Sequence, residues 1–369
     1  MANVVIPQFE KENPGIKVQS VVYPDTVLLQ KYLAAAAAGD PPDLMRADIA
    51  DVPQLAGQGL IVETSKLPWF AAIAKEALPG PLQTTVYNGG NYGLPLDTNT
   101  QALFWNKTDF AAAGISSPPT TMTQLFADAA KLTDTSKHQY GLGVDGTDIW
   151  NVAPYIWSAG GSLTNTSYTT AAGYLNSTPT VAAVQQLVNL EKQGVIGNDF
   201  LGGAGAVSAE EGFPKGQYAM YIDGPWAVST YSALKPVPDY GIAMFPSGSA
   251  GSFSTVGGED VVISQQSQHL ADAEKFAQFV ETPFSQLAMA KAGQMSALST
   301  TAAAEVTATP YYAIFAQQLK TAMDRPVTAN YGKFDADVTS ALQEILAGKA
   351  SVKSGLSAAV SSYDSLPGN

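Results

Sequence analysis

The chain has no cysteine among its 369 residues. That excludes disulfides, thiol nucleophiles and zinc–thiolate sites. It leaves the compartment open, because an exported protein needs no disulfide. There are two histidines, His138 and His269, both in polar sequence. They cannot build a histidine metal site, and a Ser-His-Asp triad would have to use one of them. Charge is also scarce: 14 % of residues are charged, against about a quarter in an average domain. Ser, Thr, Asn, Gln and Gly must therefore solvate much of the surface. The charge present is acidic, with a formal net value of −13. No basic stripe exists for a phosphate backbone, and an anionic membrane surface is an equally poor partner. No apolar run reaches the roughly 18 residues that a membrane span needs. No signal segment is visible, so the expectation is either a cytosolic protein or an exported one whose leader lies outside this sequence.

What is present is a globular composition. Hydrophobic residues make up 46 %, enough for ordinary cores, and the length fits two domains at about 100–200 residues each. Asn3–Glu12 reads as a helix, Ile16–Val22 as a strand after the turn Asn13-Pro14-Gly15, and Thr26–Ala38 as a helix stopped by Gly39. Short strands are expected at Tyr92–Leu96, Gln101–Trp105, Gln217–Ile222, Tyr240–Phe245 and Val261–Ser264. Apolar residues at helical spacing predict helices at Thr120–Leu132, Thr180–Gln193, Leu270–Glu281, Pro310–Met323 and Phe334–Leu346. Alternating strands and helices point to an α/β protein with a parallel sheet. Gly202–Gly205 and Ser247–Ser254 read as small-residue loops.

Most chemical motifs fail on context. Gly141, Gly143 and Gly146 spell G-x-G-x-x-G, but the segment runs on to Trp150 and Pro154, and the next acid after Asp148 is Glu191. A dinucleotide site needs a helix opening at the glycines and an acid about 20 residues on. No P-loop, H-E-x-x-H or EF-hand string occurs. The adjacent acids Glu210-Glu211 and Glu259-Asp260 cannot be dyads if they lie on strands, since neighbours on a strand point to opposite faces. Arginine is more informative. Of the 19 basic residues only Arg46 and Arg325 are arginine, each close to acids in sequence. A planar fork of donors has fixed structural or ligand-facing uses that lysine cannot fill. Trp150, Trp157 and Trp226 fall in or beside polar loops rich in Gly, Asn and Pro. Each could be a core residue, or a platform for the apolar face of a sugar ring.

Several strings, in order, resemble the extracellular solute-binding proteins of family 1, the maltose-binding-protein type of sugar receptor. They are FEKENPGIKV (Phe9–Val18), AAAAGDPPDLM (Ala35–Met45), YGLPLDTNTQALFWN (Tyr92–Asn106), AGISSPPTTMTQL (Ala113–Leu125), WSAGG from Trp157, FPKGQYAMYIDGPW (Phe213–Trp226), GGEDVVIS (Gly257–Ser264) and Arg325-Pro326 before Tyr331. The resemblance implies a two-lobed α/β fold of the periplasmic-binding-protein type II, with ligand in a cleft between lobes. Lobe I would comprise residues 1–106 and 263–309, and lobe II residues 107–262 and 310–369, joined by three hinge crossings. It also implies a non-enzymatic receptor of an ABC importer. That receptor would be extracytoplasmic, as a lipoprotein or periplasmic protein, and monomeric, with no cofactor or metal. Its partners would be permease subunits and a neutral di- to tetrasaccharide. Relatives have a first strand before the helix at Phe9; only eight residues precede Phe9 here, so the expectation is a truncated start or a rearranged sheet without that strand.

The family's ligand positions carry over onto Trp226 as a stacking residue, Asp48 and Asp97 as hydroxyl acceptors, Gly258 and Glu259 as a ligand-facing loop, and Arg325 as a cleft arginine. Trp150, Trp157, Asn99 and Arg46 complete the expected ligand-binding set. A glycoside-processing enzyme, or a receptor for a solute such as glycerol phosphate or a polyamine, is the competing reading.

Overall fold

A computed structural model describes residues 1–202 and 205–368. Gly203 and Ala204, within the expected loop Gly202–Gly205, and the terminal Asn369 lie outside the described residues. The chain forms two compact units. The first comprises Met1–Asn99, Gly257–Tyr312 and Val327–Ala329, and the second Thr100–Val256, Ala313–Pro326 and Asn330–Asn369. The boundaries drawn from sequence at 106/107 and 262/263 sit a few residues later. The strand Ala102–Asn106 belongs to the second unit, and the strand Glu259–Ile263 to the first.

In the first unit Glu259–Ile263 is the middle strand of three, with Leu44–Asp48 on one side and Leu94–Pro95 on the other. Both ladders are antiparallel, pairing Arg46 with Val261, Asp48 with Glu259, and Leu94 with Val261. The strand's period of two sorts its side chains. Val261 and Ile263 enter a core with Val5, Ile6 and Phe9 from the helix Val5–Glu12 and Phe276 and Val280 from Leu270–Val280. Val262 joins a second core with Met45, Ala47, Tyr32 and Leu55. The sheet is thus apolar on both faces.

In the second unit Ala102–Asn106 is the middle strand, between Met220–Asp223 and Tyr240–Ala243, again antiparallel on both sides. Phe104 is fully buried and meets the rings of Tyr221, Phe213, Tyr231, Tyr240 and Phe315 at centroid distances of 5.1–6.4 Å. The long helices Thr178–Lys192, Tyr331–Leu346 and Val352–Asp364 bury one apolar stripe each.

Three expectations need correction. The sheets that carry the two units are antiparallel rather than parallel, although strands and helices do alternate. Ile16–Val22 is not a strand. Val21 and Val22 are exposed, Val18 donates its N–H to Glu10 Oε1, and no ladder partner lies alongside. The helix expected over Pro310–Met323 is shorter, Tyr312–Gln318, and gives way to a 3-10 turn and the strand Ala322–Met323, which pairs parallel with Ser254–Gly257.

Candidate functional site

Each unit concentrates expected ligand residues at one place. In the first unit the place is the polar end of the sheet. Arg46 and Asp48 leave one face of their strand, and Glu259 leaves the same face of the neighbouring strand, because Asp48 and Glu259 are paired in register. Arg46 Nη2 lies 2.7 Å from Glu259 Oε2 and 3.4 Å from Asp97 Oδ2. Asp97 follows Leu94–Pro95, and its N–H donates to the Glu259 carbonyl at 3.2 Å. The intervening turn requires glycine at 258: φ is +130°, and a Cβ there would stand 2.5 Å from the Asp97 carbonyl oxygen. Asp48 Oδ1 accepts the Ala50 N–H at 2.7 Å.

Asp97 is buried, and its Oδ1 accepts no hydrogen bond within the described residues; neither does Oδ1 of the buried Asn99. Burial, the neighbouring carboxylate of Glu259 and a hydrogen bond to it push the Asp97 pKa well up, while Arg46 pulls it down. Burial works against the Arg46 charge, but Asp97 and Glu259 outweigh it and raise its pKa. Asp260, the next residue, turns to the opposite face, where Thr84 Oγ1 donates to it at 3.2 Å. The adjacent acids therefore do separate work, as strand geometry requires.

In the second unit the place is aromatic. Trp150 was expected in or beside a polar loop. It lies instead in the first turn of the helix Ile149–Ser158, which Asp148 caps by accepting the Asn151 N–H. Pro154 sits inside that helix and removes the N–H that would have bonded the Trp150 carbonyl. Gln101 Nε2 and Thr255 Oγ1 donate to that carbonyl instead, at 3.1 and 3.4 Å. The proline that argued against a helix is thus accommodated, and its freed carbonyl anchors Trp150.

Trp226 starts the helix Trp226–Ser232, and its ring lies 6.2 Å from that of Trp150, inclined by 32°. The ring folds back over its own turn. A Cβ on Gly224 would approach it to 2.0 Å, so any larger residue there would push the ring aside. The Arg325 guanidinium lies 5.5 Å from the ring centroids of both Trp150 and Tyr331. Trp226, Trp150, Arg325 and Tyr331 form one connected array. Trp157 is set apart from it by burial: the residue is 4 % exposed and counts among the core residues. Two helical turns on from Trp150, it serves the core.

Sequence reasoning passed over two residues here. Tyr331 completes the stack on Arg325, and Asp223 ends the strand that leads into Gly224-Pro225-Trp226. Asp223 is buried, one oxygen accepts the Gly224 N–H at 2.7 Å, and Oδ2 has no partner within the described residues. Burial and then Glu210 push its pKa far up. An acid directly before a Gly-Pro turn was the available signal. Among the described residues no group of three or more His, Asp or Glu is placed to hold a metal ion, and no helix is long and apolar enough to cross a membrane.

The model of the bacterial extracellular solute-binding protein family matches residues 1–287, and the chain belongs to that family. A putative binding protein of Brucella abortus is 30 % identical over 281 residues, which are 74 % of this chain and 66 % of that protein. The chain thus spans just under two thirds of the length of such curated relatives. A multiple sugar-binding protein of Streptococcus mutans is 28 % identical over 298 residues, 75 % of this chain and 67 % of that protein. Among solved structures, an ABC transporter solute-binding protein of Thermotoga lettingae bound with alpha-D-tagatose matches with a TM-score of 0.87 at 25 % identity, covering 98 % of this chain and 94 % of that one. Maltose-bound MalE3 of T. maritima matches with a TM-score of 0.87 at 22 % identity, covering 97 % and 94 %. The fold class expected from sequence, that of the two-lobed α/β solute-binding proteins, therefore holds.

Proposed function

We propose that this chain is the carbohydrate-capturing receptor of an ABC importer and that it takes a neutral di- to tetrasaccharide. The observation that carries the reading is the array of Trp226, Trp150, Arg325 and Tyr331 beside Asp223, whose Oδ2 has no partner. A sugar ring has apolar C–H faces and a rim of hydroxyl donors. Aromatic faces suit the first and carboxylate oxygens the second, since a charge-assisted hydrogen bond is about twice as strong as a neutral one. The first unit adds the acceptors Asp97, Asn99 and Glu259, with Gly258 shaping their turn and Asp48 beside them. Two tryptophans suit more than one ring. Only two arginines stand among these carboxyls, which disfavours phosphorylated or acidic solutes.

On this reading the protein works outside the cytoplasm as a monomeric, non-enzymatic binder. Hinge closure around the sugar presents it to permease subunits. Calorimetric titration with neutral mono- and oligosaccharides, glycerol phosphate and a polyamine tests it. The expected result is saturable heat with one family of neutral oligosaccharides and recovery of the sugar unchanged. Binding of glycerol phosphate or polyamine alone, or release of shorter sugars in molar excess over protein, overturns it.

A further inference from the structure

Arg46 stands in mid-strand opposite Val261, and its side chain is 40 % exposed. A guanidinium with that much freedom ordinarily turns to solvent. Here it turns inward, to Glu259 at 2.7 Å and Asp97 at 3.4 Å. The Asp97 side chain is 1 % exposed, so the arginine reaches a carboxyl that water hardly touches. The Asp97 main chain is immobile as well, hydrogen-bonded to the Glu259 carbonyl and wedged against Gly258. Asp97 Oδ1 remains without a donor.

Other charged groups border this trio. The Met1 amino group and the Asp25 carboxylate act on Arg46. Asp48 lies across the register from Glu259. Asp260 faces away, toward Thr84.

Resting on the oligosaccharide reading above, we infer that Arg46 is a positioning residue rather than a ligand contact: its Nη2 holds the Asp97 and Glu259 carboxyls as one fixed acceptor group, buried at Asp97 and presented to a ligand hydroxyl by Glu259, whose side chain is 20 % exposed. Two carboxyls this close cannot both stay ionised without a cation. If Arg46 is removed, one of them takes a proton and bonds the other. The exposed acceptor then becomes a donor or turns away. Burial and Glu259 already press Asp97 in that direction, and Arg46 opposes them. Lysine would supply the charge but not the planar guanidinium that places Nη2 between the two carboxyls.

The test is the affinity of the whole chain for the best-binding neutral oligosaccharide of the panel, at pH 5.5 to 9, for wild type, Arg46→Met and Arg46→Lys. The expected outcome for Arg46→Met is a loss of about tenfold at pH 6, the size of one charge-assisted hydrogen bond, recovering toward pH 9 as the carboxyls ionise. Arg46→Lys should keep the pH profile of wild type at reduced affinity. A loss in Arg46→Met that is equal at every pH, or no loss, overturns the inference. If Arg46→Met does not fold, Arg46→Lys decides: affinity and profile equal to wild type refute the guanidinium's role. A wild type that binds no neutral oligosaccharide refutes the receptor reading instead.

Discussion

Each unit places one strand at the centre of a three-stranded antiparallel sheet, and the two strands are chemical opposites. Glu259–Ile263 in the first unit begins with two acids and continues with branched aliphatics. Ala102–Asn106 in the second carries Leu103, Phe104 and Trp105. The first puts Glu259 into an ion-paired acceptor group and buries Asp260 completely; the second anchors a cluster of six rings. The contrast continues at the candidate site, with carboxyls and Arg46 on the first unit, and stacked rings and Arg325 on the second. A similar backbone frame thus carries two chemically different ends, and the side chains at the strand ends make the difference.

The comparison breaks most severely at Phe104. Replacing it with alanine leaves a cavity among rings that cannot collapse, and should cost the second unit about 3–5 kcal/mol. Chemical denaturation followed by tyrosine and tryptophan fluorescence measures the loss.

Asp260 sharpens the comparison from the other side. Burial pushes its pKa far up against the opposing Thr84 hydrogen bond, and the charges of Asp48 and Glu259 add to the rise. Glu281 is raised too, by burial and then by Asp260. A carboxyl whose folded pKa lies above its unfolded one contributes stability that is complete below about pH 4 and lost as pH rises through the folded value. Unfolding free energy should therefore fall with increasing pH, and Asp260→Asn should flatten the slope by up to about 1.4 kcal/mol per pH unit. The second unit has its own buried acid, Asp199, pushed up to about 8 by burial and by Asp145. Asp199→Asn should remove a separate part of the slope, ending near pH 8. Melting temperatures from pH 4 to 9 for both variants check this.

The smallest effect is on affinity. Trp226→Ala removes one stacking face and should weaken oligosaccharide binding by roughly tenfold, while the melting temperature stays near that of wild type. Unchanged affinity would show that the aromatic half of the comparison plays no part in binding.

Much of the fold was legible in the residues. The helices at Thr26–Ala38, Thr180–Gln193 and Phe334–Leu346 match Asp25–Ala37, Thr178–Lys192 and Tyr331–Leu346, since their apolar stripes recur at helical spacing and glycine follows within a few residues. Val352–Asp364 was missed: Val352, Leu356, Val360 and Tyr363 do recur at helical spacing, but Gly355 and the serines between them weaken the local signal. Ile16–Val22 was misread because branched residues favour a strand only where a partner strand exists, and pairing is not a local property. The helix that carries Trp150 was not foreseen because Pro154 argues locally against a helix, whereas Gln101 and Thr255, far away in sequence, satisfy the carbonyl it frees.

The same division holds for function. Composition alone excluded thiol chemistry, because the chain has no cysteine, and argued against a histidine metal site and a phosphate-backbone partner, because it has two histidines and a net charge of −13. Ordered strings along the chain carried the family, because that order survives when single residues change. Only the tertiary structure decided that Glu259 and Asp260 part to opposite faces, that Trp157 is core while Trp150 is not, and that Arg46 meets Asp97 across 51 positions of sequence. Those facts depend on register and burial, and both are set by the strands and helices that pack around a residue rather than by its neighbours in the chain.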